Sequence, residues 1–159
     1  MAALDRGLAA FALAAWAGAA AGQDCAPDAV DLRDADSTLR FRVEVADSGE
    51  ERARGLMFRE SLPRFSGMLF VYETPGPVAF WMENTLIPLD MLFFDATGRL
   101  TAVHANARPL DRTPIPGGDN VRFVLEVNGG LAGRLGIEPG AELRHPAVDQ
   151  AEAAWPCDE

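Results

Sequence analysis

The sequence predicts an all-β domain, mainly an antiparallel β-sandwich or small barrel of about seven short strands, with one or two short helices. Two segments, 39–46 and 121–127, alternate apolar and polar residues as half-buried strands do. Other short apolar runs are separated by turn sequences rich in Pro, Gly and Asp. Short strands divided by turns, with little helical periodicity, are typical of antiparallel sandwiches and barrels.

The first elements are a strand and a short helix. In the strand at 39–46, Phe41 and Val43 lie on the apolar face, while the residues between them are charged. Asp47 or Ser48 then has the side chain of a helix N-cap, and acidic residues follow in the first turn, as the helix dipole favours. We therefore expect a short helix here that ends at Gly55.

The apolar runs that follow predict the remaining strands. These are expected at 68–72, 78–82, 89–94, 99–105, 121–127 and 142–144. A Thr-Pro-Gly-Pro turn at 74–77 separates the first two, and a second short helix is expected from Leu131 to Leu135. Residues 106–120 contain three Pro and two Gly, which predicts a loop that is long for a connector and therefore a candidate lid.

The chain divides into four segments. Residues 1–22 are predicted to be a signal peptide, because an apolar run at 8–21 ends in small residues and is shorter than the about 20 residues of a membrane span. Residues 23–38 are expected to form a polar acidic N-terminal arm, 39–145 a single β domain and 146–159 an acidic C-terminal tail. The protein is thus expected to be periplasmic or secreted, and the alternative is an uncleaved membrane anchor.

Both cysteines lie near the ends of the chain that remains after cleavage. In an oxidising compartment Cys25 and Cys157 are expected to form one disulfide, although two free or intermolecular thiols are the alternative. Neither has a nearby His or cation in the sequence to activate it, so a catalytic cysteine is not expected.

The charge excludes several classes of function. The chain has 24 acidic and 14 basic residues, a net charge of -10, and every basic residue is Arg. An acidic protein is a poor ligand for nucleic acid, and Lys chemistry is impossible. With two His and two Cys, a His/Cys-rich metal cluster is excluded, and neither a cofactor nor a metal is expected. Most of the negative charge falls in the two end segments, 23–38 and 145–159, with -4 in each.

Four runs carry a family resemblance. GLMFR, GMLF, WM-x-NT-x-IPLD and VLE-x-N-x-G follow one another in this order between about residues 50 and 144. In them the chain resembles the family known as domain of unknown function 192. The resemblance implies a compact, mostly antiparallel β fold in exported bacterial or archaeal proteins, and it implies no activity. Glu83 stands where the family usually has Lys, so a role for a cation at this position is not expected here.

The same motifs supply a candidate binding cleft. Asp90 lies in a strand of large apolar residues, so it is expected to be buried and to need a cationic partner, for which Arg54 or Arg59 is available. A structural ion pair is favoured over a ligand-orienting or acid/base role. Asn84 is expected to bond loop backbone, and Trp81 is expected in the core rather than as a stacking platform. If there is a site, these five residues line it.

The favoured function is a ligand-binding or interaction module of the cell envelope, whose partner is a small molecule or an envelope protein. Membrane contact is expected only through an uncleaved signal segment. One alternative is a hydrolase of envelope carbohydrate, with a carboxylate pair drawn from Asp90, Glu83 or Glu126. Glu126, however, shares a strand face with Arg122, which favours an outward ion pair.

A second alternative is a copper-binding protein, because thioether sulfur suits Cu(I). Four methionines of the mature chain lie within 35 residues of one another: Met57, Met68, Met82 and Met91. None forms an M-x-M or M-x-x-M pair, so packing in the core is the favoured interpretation.

Overall fold

The computed structural model describes residues 24–35 and 37–159, so the predicted signal peptide at 1–22 lies outside the described residues. The strands are β1 (Ala29–Arg33), β2 (Thr38–Ala46), β3 (Ser66–Phe80), β4 (Leu89–Phe94), β5 (Leu100–Ala107), β6 (Ile115–Asn128) and β7 (Glu142–Arg144). Two short helices are α1 (Gly49–Arg54) and α2 (Leu131–Leu135). No helix in the described part of the chain is both long and apolar enough to cross a membrane.

The described strands form one sheet in the order β5-β4-β6-β3-β2-β1-β7. All neighbours are antiparallel except β2 and β3, which are parallel and are connected through α1. The sheet curls until its two edges meet, where Arg99 bridges Glu142 and the amide of Leu100 donates to Ala141 at 2.8 Å. The predicted all-β class is therefore confirmed, in the form of a curled half-barrel.

Each face of the sheet carries its own apolar core. The inner core includes Phe41, Leu92 and Leu125 and is closed by α2 and the C-terminal segment. The outer core includes Phe70, Met91 and Phe93 and is covered by the loops that follow α1 and β3. β4 is buried on both faces, which explains why its sequence is a continuous apolar run without alternation.

The prediction of two strands around a turn at 74–77 is wrong. Residues 66–80 form the single long strand β3, and its pairing with β6 shifts register between Val71 and Gly76 and twice more before Phe80. An irregularity of this kind tolerates proline, because the residues that lack an N–H need no ladder bond there. Pro75 and its neighbours 73–74 are accordingly exposed.

The prediction of a lid loop over 106–120 also fails in its second half. Residues 115–120 are the beginning of β6 and pair with the end of β3, for example Ile115 with Phe80. Gly117 is required by packing, because a Cβ at this position would lie 2.2 Å from Cδ1 of Phe93. Only 108–114 remains outside the strands, and backbone hydrogen bonds tie this loop to residues 82 and 85.

The two end segments belong to the folded body. Within the expected arm, β1 inserts between β2 and β7 and buries Val30 and Leu32. Within the expected tail, Trp155 is buried and lies between two guanidinium groups. The disulfide between Cys25 and Cys157 is confirmed and joins the two segments.

A buried ion pair strengthens this junction. Asp31 accepts hydrogen bonds from Arg40 at 2.6 Å and from Arg144 at 2.8 Å. Burial raises the pKa of Asp31, but the bonds from the two guanidinium groups outweigh it and hold that pKa below its ordinary value. His145 is buried as well, with Nε2 at 3.0 Å from the carbonyl oxygen of Pro27.

Candidate functional site

A buried carboxyl group marks the candidate site. Glu126 lies on the outer face of β6, in register with Met68 of β3 on one side and Met91 of β4 on the other. Its exposed fraction is 4 %, and no side chain or backbone group in the described part of the chain bonds or pairs with its carboxyl group. Burial raises the pKa of Glu126 to about 8, so the group is mainly a neutral acid at pH 7.

A cavity of about 250 Å³ opens above this group. Glu126 forms its floor together with the half-buried Tyr72 and the buried Thr85, while Trp81, with 45 % of its surface exposed, stands at the mouth. The other lining residues come from α1, from the loop after it and from β3: Arg52, Ala53, Arg54, Gly55, Leu56, Met57, Phe70, Ala79 and Phe80. The lining of the cavity is therefore mixed: aromatic and aliphatic side chains lie beside the polar groups of Arg52, Arg54, Tyr72 and Thr85, with one neutral acid at the base.

Helix α1 is fixed firmly enough to form a wall. Ser48 and Glu51 form a capping box at its N-terminus, which satisfies amides that the short helix leaves free. Arg52 donates to the carbonyl of Val71 at 2.8 Å and to that of Asp47, and its guanidinium lies 5.1 Å from the Tyr72 ring centroid. Arg52 thus anchors the helix on the sheet.

Arg54 has a different environment from Arg52. It is exposed at the cavity mouth, and no ion pair or hydrogen bond of its guanidinium is found among residues 24–35 and 37–159. This cation is therefore free to meet a ligand.

Inside the cavity, burial raises the pKa of the Tyr72 phenol. The nearby Glu126 raises this pKa further, although Arg52 lowers it, so the phenol stays protonated at neutral pH.

The turn after β3 places Trp81. Asn84 adopts φ of +53°, and its carbonyl accepts the amide of Phe58 at 2.8 Å, which joins the turn to the loop after α1. The ring of Trp81 faces the guanidinium of Arg112, which itself pairs with Glu83 at 3.0 Å. The expectation that Trp81 belongs to the core is wrong, because these contacts hold it at the surface beside the cavity.

Contrary to expectation, Asp90 has no arginine partner among the described residues. Its carboxylate is fully buried and accepts three backbone amides, from Asn106 at 2.8 Å, Gly130 at 2.7 Å and Ala132 at 2.8 Å. Asp90 is in register with Val127 and so faces the inner core, on the opposite side of the sheet from Glu126. It fixes the start of α2 and the end of β5, which is a structural role.

Of the five residues proposed for a cleft, the structure brings Arg54 and Trp81 to one cavity. Asn84 lies beside it, with Nδ2 at 3.9 Å from Sδ of Met57. Arg59 pairs with Glu44 at 2.6 Å on the surface and lines no part of the cavity, and Asp90 is on the other face.

The sequence interpretation named Glu126 for the alternative hydrolase but did not include it in the binding cleft. It was expected to pair outward with Arg122, but that side chain lies over the Phe123 ring at 5.6 Å and its Nη1 is buried without a hydrogen-bond partner. The sequence did contain a signal: Glu126 interrupts an apolar run in which Val124, Leu125 and Val127 are all buried. An acid inside a strand that is buried on both faces cannot point to solvent.

Other features of the described residues are less suited to binding. A larger groove of about 740 Å³ lies between β1 and the segment that leads into β7, but Arg33 and Glu142 in its wall already pair at 2.8 Å. Three of the methionines considered for copper, Met68, Met82 and Met91, are buried in the outer core, as the packing interpretation predicted.

Comparison with known proteins identifies the family. Residues 30–145 match the model of domain of unknown function 192, described as "Uncharacterized ACR", and the chain belongs to this family. Among curated proteins, none is similar to the chain.

Several solved structures are similar to the chain, and two of them illustrate this. A protein of unknown function from Novosphingobium aromaticivorans is 43% identical with a TM-score of 0.71, over 72% of this chain and 82% of that one. A protein from Sinorhizobium meliloti, described as a "putative transcription regulator", is 37% identical with a TM-score of 0.75, over 79% of this chain and 98% of that one.

Proposed function

We propose that this member of an uncharacterised family is a small-molecule-binding module, and that its ligand occupies the cavity above Glu126. The observation that carries the proposal is a carboxyl group at the base of an open cavity that no other group in the described part of the chain bonds. Burial disfavours its charge, and a nearly buried acid without a protein partner calls for an explanation. A ligand that completes its hydrogen bonds supplies one.

The environment of Glu126 indicates the kind of ligand. As a neutral acid it donates one hydrogen bond and accepts another, which suits a carbonyl, amide or hydroxyl group. The walls combine aromatic and aliphatic side chains with Tyr72, Thr85 and two guanidinium groups, so the rest of the ligand is flat and partly polar, and Arg54 at the mouth favours a negative or polar outer end. A cavity of about 250 Å³ is smaller than the roughly 300–1,000 Å³ of drug-sized sites, which fits a compact metabolite.

The contacts give less support to a carbohydrate hydrolase. Hydrolysis of that type uses two carboxyl groups that face each other across the substrate. Glu126 is the one acid among the described residues that line the cavity. Asp90 lies on the opposite face of the sheet, and Glu83 is held by Arg112. Binding therefore accounts for the geometry better than catalysis does.

Export to the periplasm or beyond is part of the proposal. The disulfide between Cys25 and Cys157 supports it, because such bonds persist in oxidising compartments. The apolar segment at 8–21, which resembles the core of a signal peptide, supports it as well.

Native mass spectrometry of the protein purified from its own cell envelope tests the proposal. We expect a bound small molecule on the wild-type chain, lost in Glu126→Leu, which removes the hydrogen-bonding group, and in Trp81→Ala. Arg59→Ala is the control, since Arg59 closely follows the cavity-lining residues 54–57 in the chain but lines no part of the cavity. A wild-type protein that carries no small molecule, or an adduct that survives Glu126→Leu, would contradict the proposal.

A further inference from the structure

Four large apolar side chains are exposed on the face that surrounds the cavity mouth. Phe58 is 63 % exposed, Leu110 60 %, and Trp81 and Leu86 45 % each. They belong to three loop segments, 54–60, 81–86 and 107–113, which include the last residue of α1 and of β5 and which we call the apolar loop surface. Phe58, Leu86 and Leu110 line no part of the cavity, so binding of a ligand there does not explain their exposure.

Backbone hydrogen bonds hold the three loops side by side. The amide of Phe58 donates to the carbonyl of Asn84 at 2.8 Å, and the amide of Leu110 donates to that of Thr85 at 3.1 Å. The amide of Met82 donates to the carbonyl of Asp111 at 2.8 Å. The loop at 81–86 is thus bonded to the loop at 54–60 and to the loop at 107–113. The exposed apolar residues of the three loops therefore form one continuous region of the protein.

Two of these residues are exposed at a conformational cost. Phe58 and Leu110 both have φ of +63°, a left-handed conformation that bulky side chains rarely adopt. Strained backbone of this kind persists where the surrounding structure enforces it, and it is concentrated at functional sites. The chain therefore holds both side chains towards solvent, where burial would otherwise be favourable.

The charge around these residues indicates what they meet. The three loops contain four arginines, Arg54, Arg59, Arg108 and Arg112, against three acids, so they carry +1 in a chain whose total is -10. Two of the arginines are paired, Arg59 with Glu44 and Arg112 with Glu83. Arg54 and Arg108 are exposed and form no ion pair within residues 24–35 and 37–159, so two guanidinium groups remain for an anionic partner on a face far less negative than the rest of the molecule.

We propose that the apolar loop surface docks on an anionic lipid bilayer. Phe, Trp and Leu side chains enter the boundary between headgroups and acyl chains, while guanidinium groups reach lipid phosphates. The negative charge of the rest of the molecule is repelled by such a bilayer, so docking has one orientation, with the cavity mouth at the lipid surface. No amphipathic helix is involved, because the surface is assembled from three separate loops.

Vesicle sedimentation tests this proposal with residues 23–159, which contain all the described strands and both cores. We expect the protein to sediment with vesicles of phosphatidylglycerol and phosphatidylethanolamine, and much less with phosphatidylcholine alone. Emission of the exposed Trp81 is expected to shift to shorter wavelength on binding. Added salt is expected to weaken the association.

The critical variant is Phe58→Gly with Leu110→Gly. Glycine adopts positive φ without strain, so this chain is expected to fold at least as well as the wild type while it loses both apolar side chains. Its sedimentation with anionic vesicles is expected to fall by about tenfold or more. The matched control is Phe65→Ala, since Phe65 is 41 % exposed but lies outside the three loops, and we expect no change.

Several outcomes would overturn the proposal: a wild-type chain that ignores anionic vesicles, a double glycine variant that sediments as before, or an equal loss in Phe65→Ala. A dimer in sedimentation velocity that dissociates in the double variant, without lipid binding, would assign this face to a second copy. The result is independent of the proposed ligand, because neither substituted residue lines the cavity.

Discussion

Replacement of Glu126 by Gln is expected to stabilise the protein at neutral pH. The amide has nearly the same shape as the carboxyl group, but it carries no ionisable proton. In the wild-type chain, burial raises the pKa of Glu126 from an ordinary value of 4.5 to about 8. Between these two values the folded state binds more protons than the unfolded state, so the free energy of unfolding falls as the pH rises.

The size of the effect follows from the pKa. From 4.5 to neutral pH, at about 1.4 kcal/mol per pH unit, the wild-type chain loses about 3 kcal/mol of stability that the Gln variant keeps. Near pH 4 the carboxyl group is protonated in both states, so the two chains are expected to be equally stable there. Above pH 8 the difference is expected to reach a plateau.

Urea denaturation at pH 4, 7 and 9 measures this difference directly. Glu142→Gln is a control of opposite sign, because Glu142 pairs with Arg33 and Arg99 and its neutralisation removes favourable contacts. A Glu126→Gln chain that is less stable than the wild type by the same amount at every pH would refute the reasoning. That result would mean that the folded state holds Glu126 as a satisfied carboxylate.

Three further predictions concern the framework around the site. Asp90→Asn is expected to lower the free energy of unfolding by about 2–3 kcal/mol in urea, because an amide cannot accept all three backbone bonds. Asp31→Asn is expected to cost about 3–5 kcal/mol, since it removes the buried carboxylate that pairs with Arg40 and Arg144, and the loss should vanish in acid, where the wild-type carboxylate is also neutral. Cys25→Ser with Cys157→Ser opens a loop that spans 132 residues and is expected to cost up to about 5 kcal/mol, measured against the oxidised wild type.

The alternation of apolar and polar residues and the signals for helix caps predicted most of the fold correctly. The strand at 39–46 and the helix that ends at Gly55 agree with β2 and α1, because their patterns are local and complete in the sequence. The proline-rich segments misled the prediction, since Pro75 and Pro116 suggest loops. Both lie in strands, at places where register shifts remove the need for their missing N–H.

The site was less predictable than the fold because it depends on how strands pair. Alternation placed Glu126 and Arg122 on one face of a strand, but it cannot say which face is covered. The outer core exists because loops from three places in the chain cover the outside of the barrel, and this information is not local. The partner of Asp90 was missed for a similar reason, since three backbone amides can replace an arginine and leave no sequence signature.

The unfavourable features of this molecule are concentrated on one face. An acid is buried without a partner in the floor of the cavity, and two bulky residues near its mouth have strained backbone. By contrast, Asp90 on the other face of the sheet and Asp31 in β1, at a distance from the cavity, have their hydrogen bonds satisfied. If stability alone determined the sequence, residue 126 would not be an unpaired acid and residue 58 would be glycine, because each of these changes is expected to stabilise the fold. The side of the barrel that keeps these costs is therefore the side where binding is to be sought.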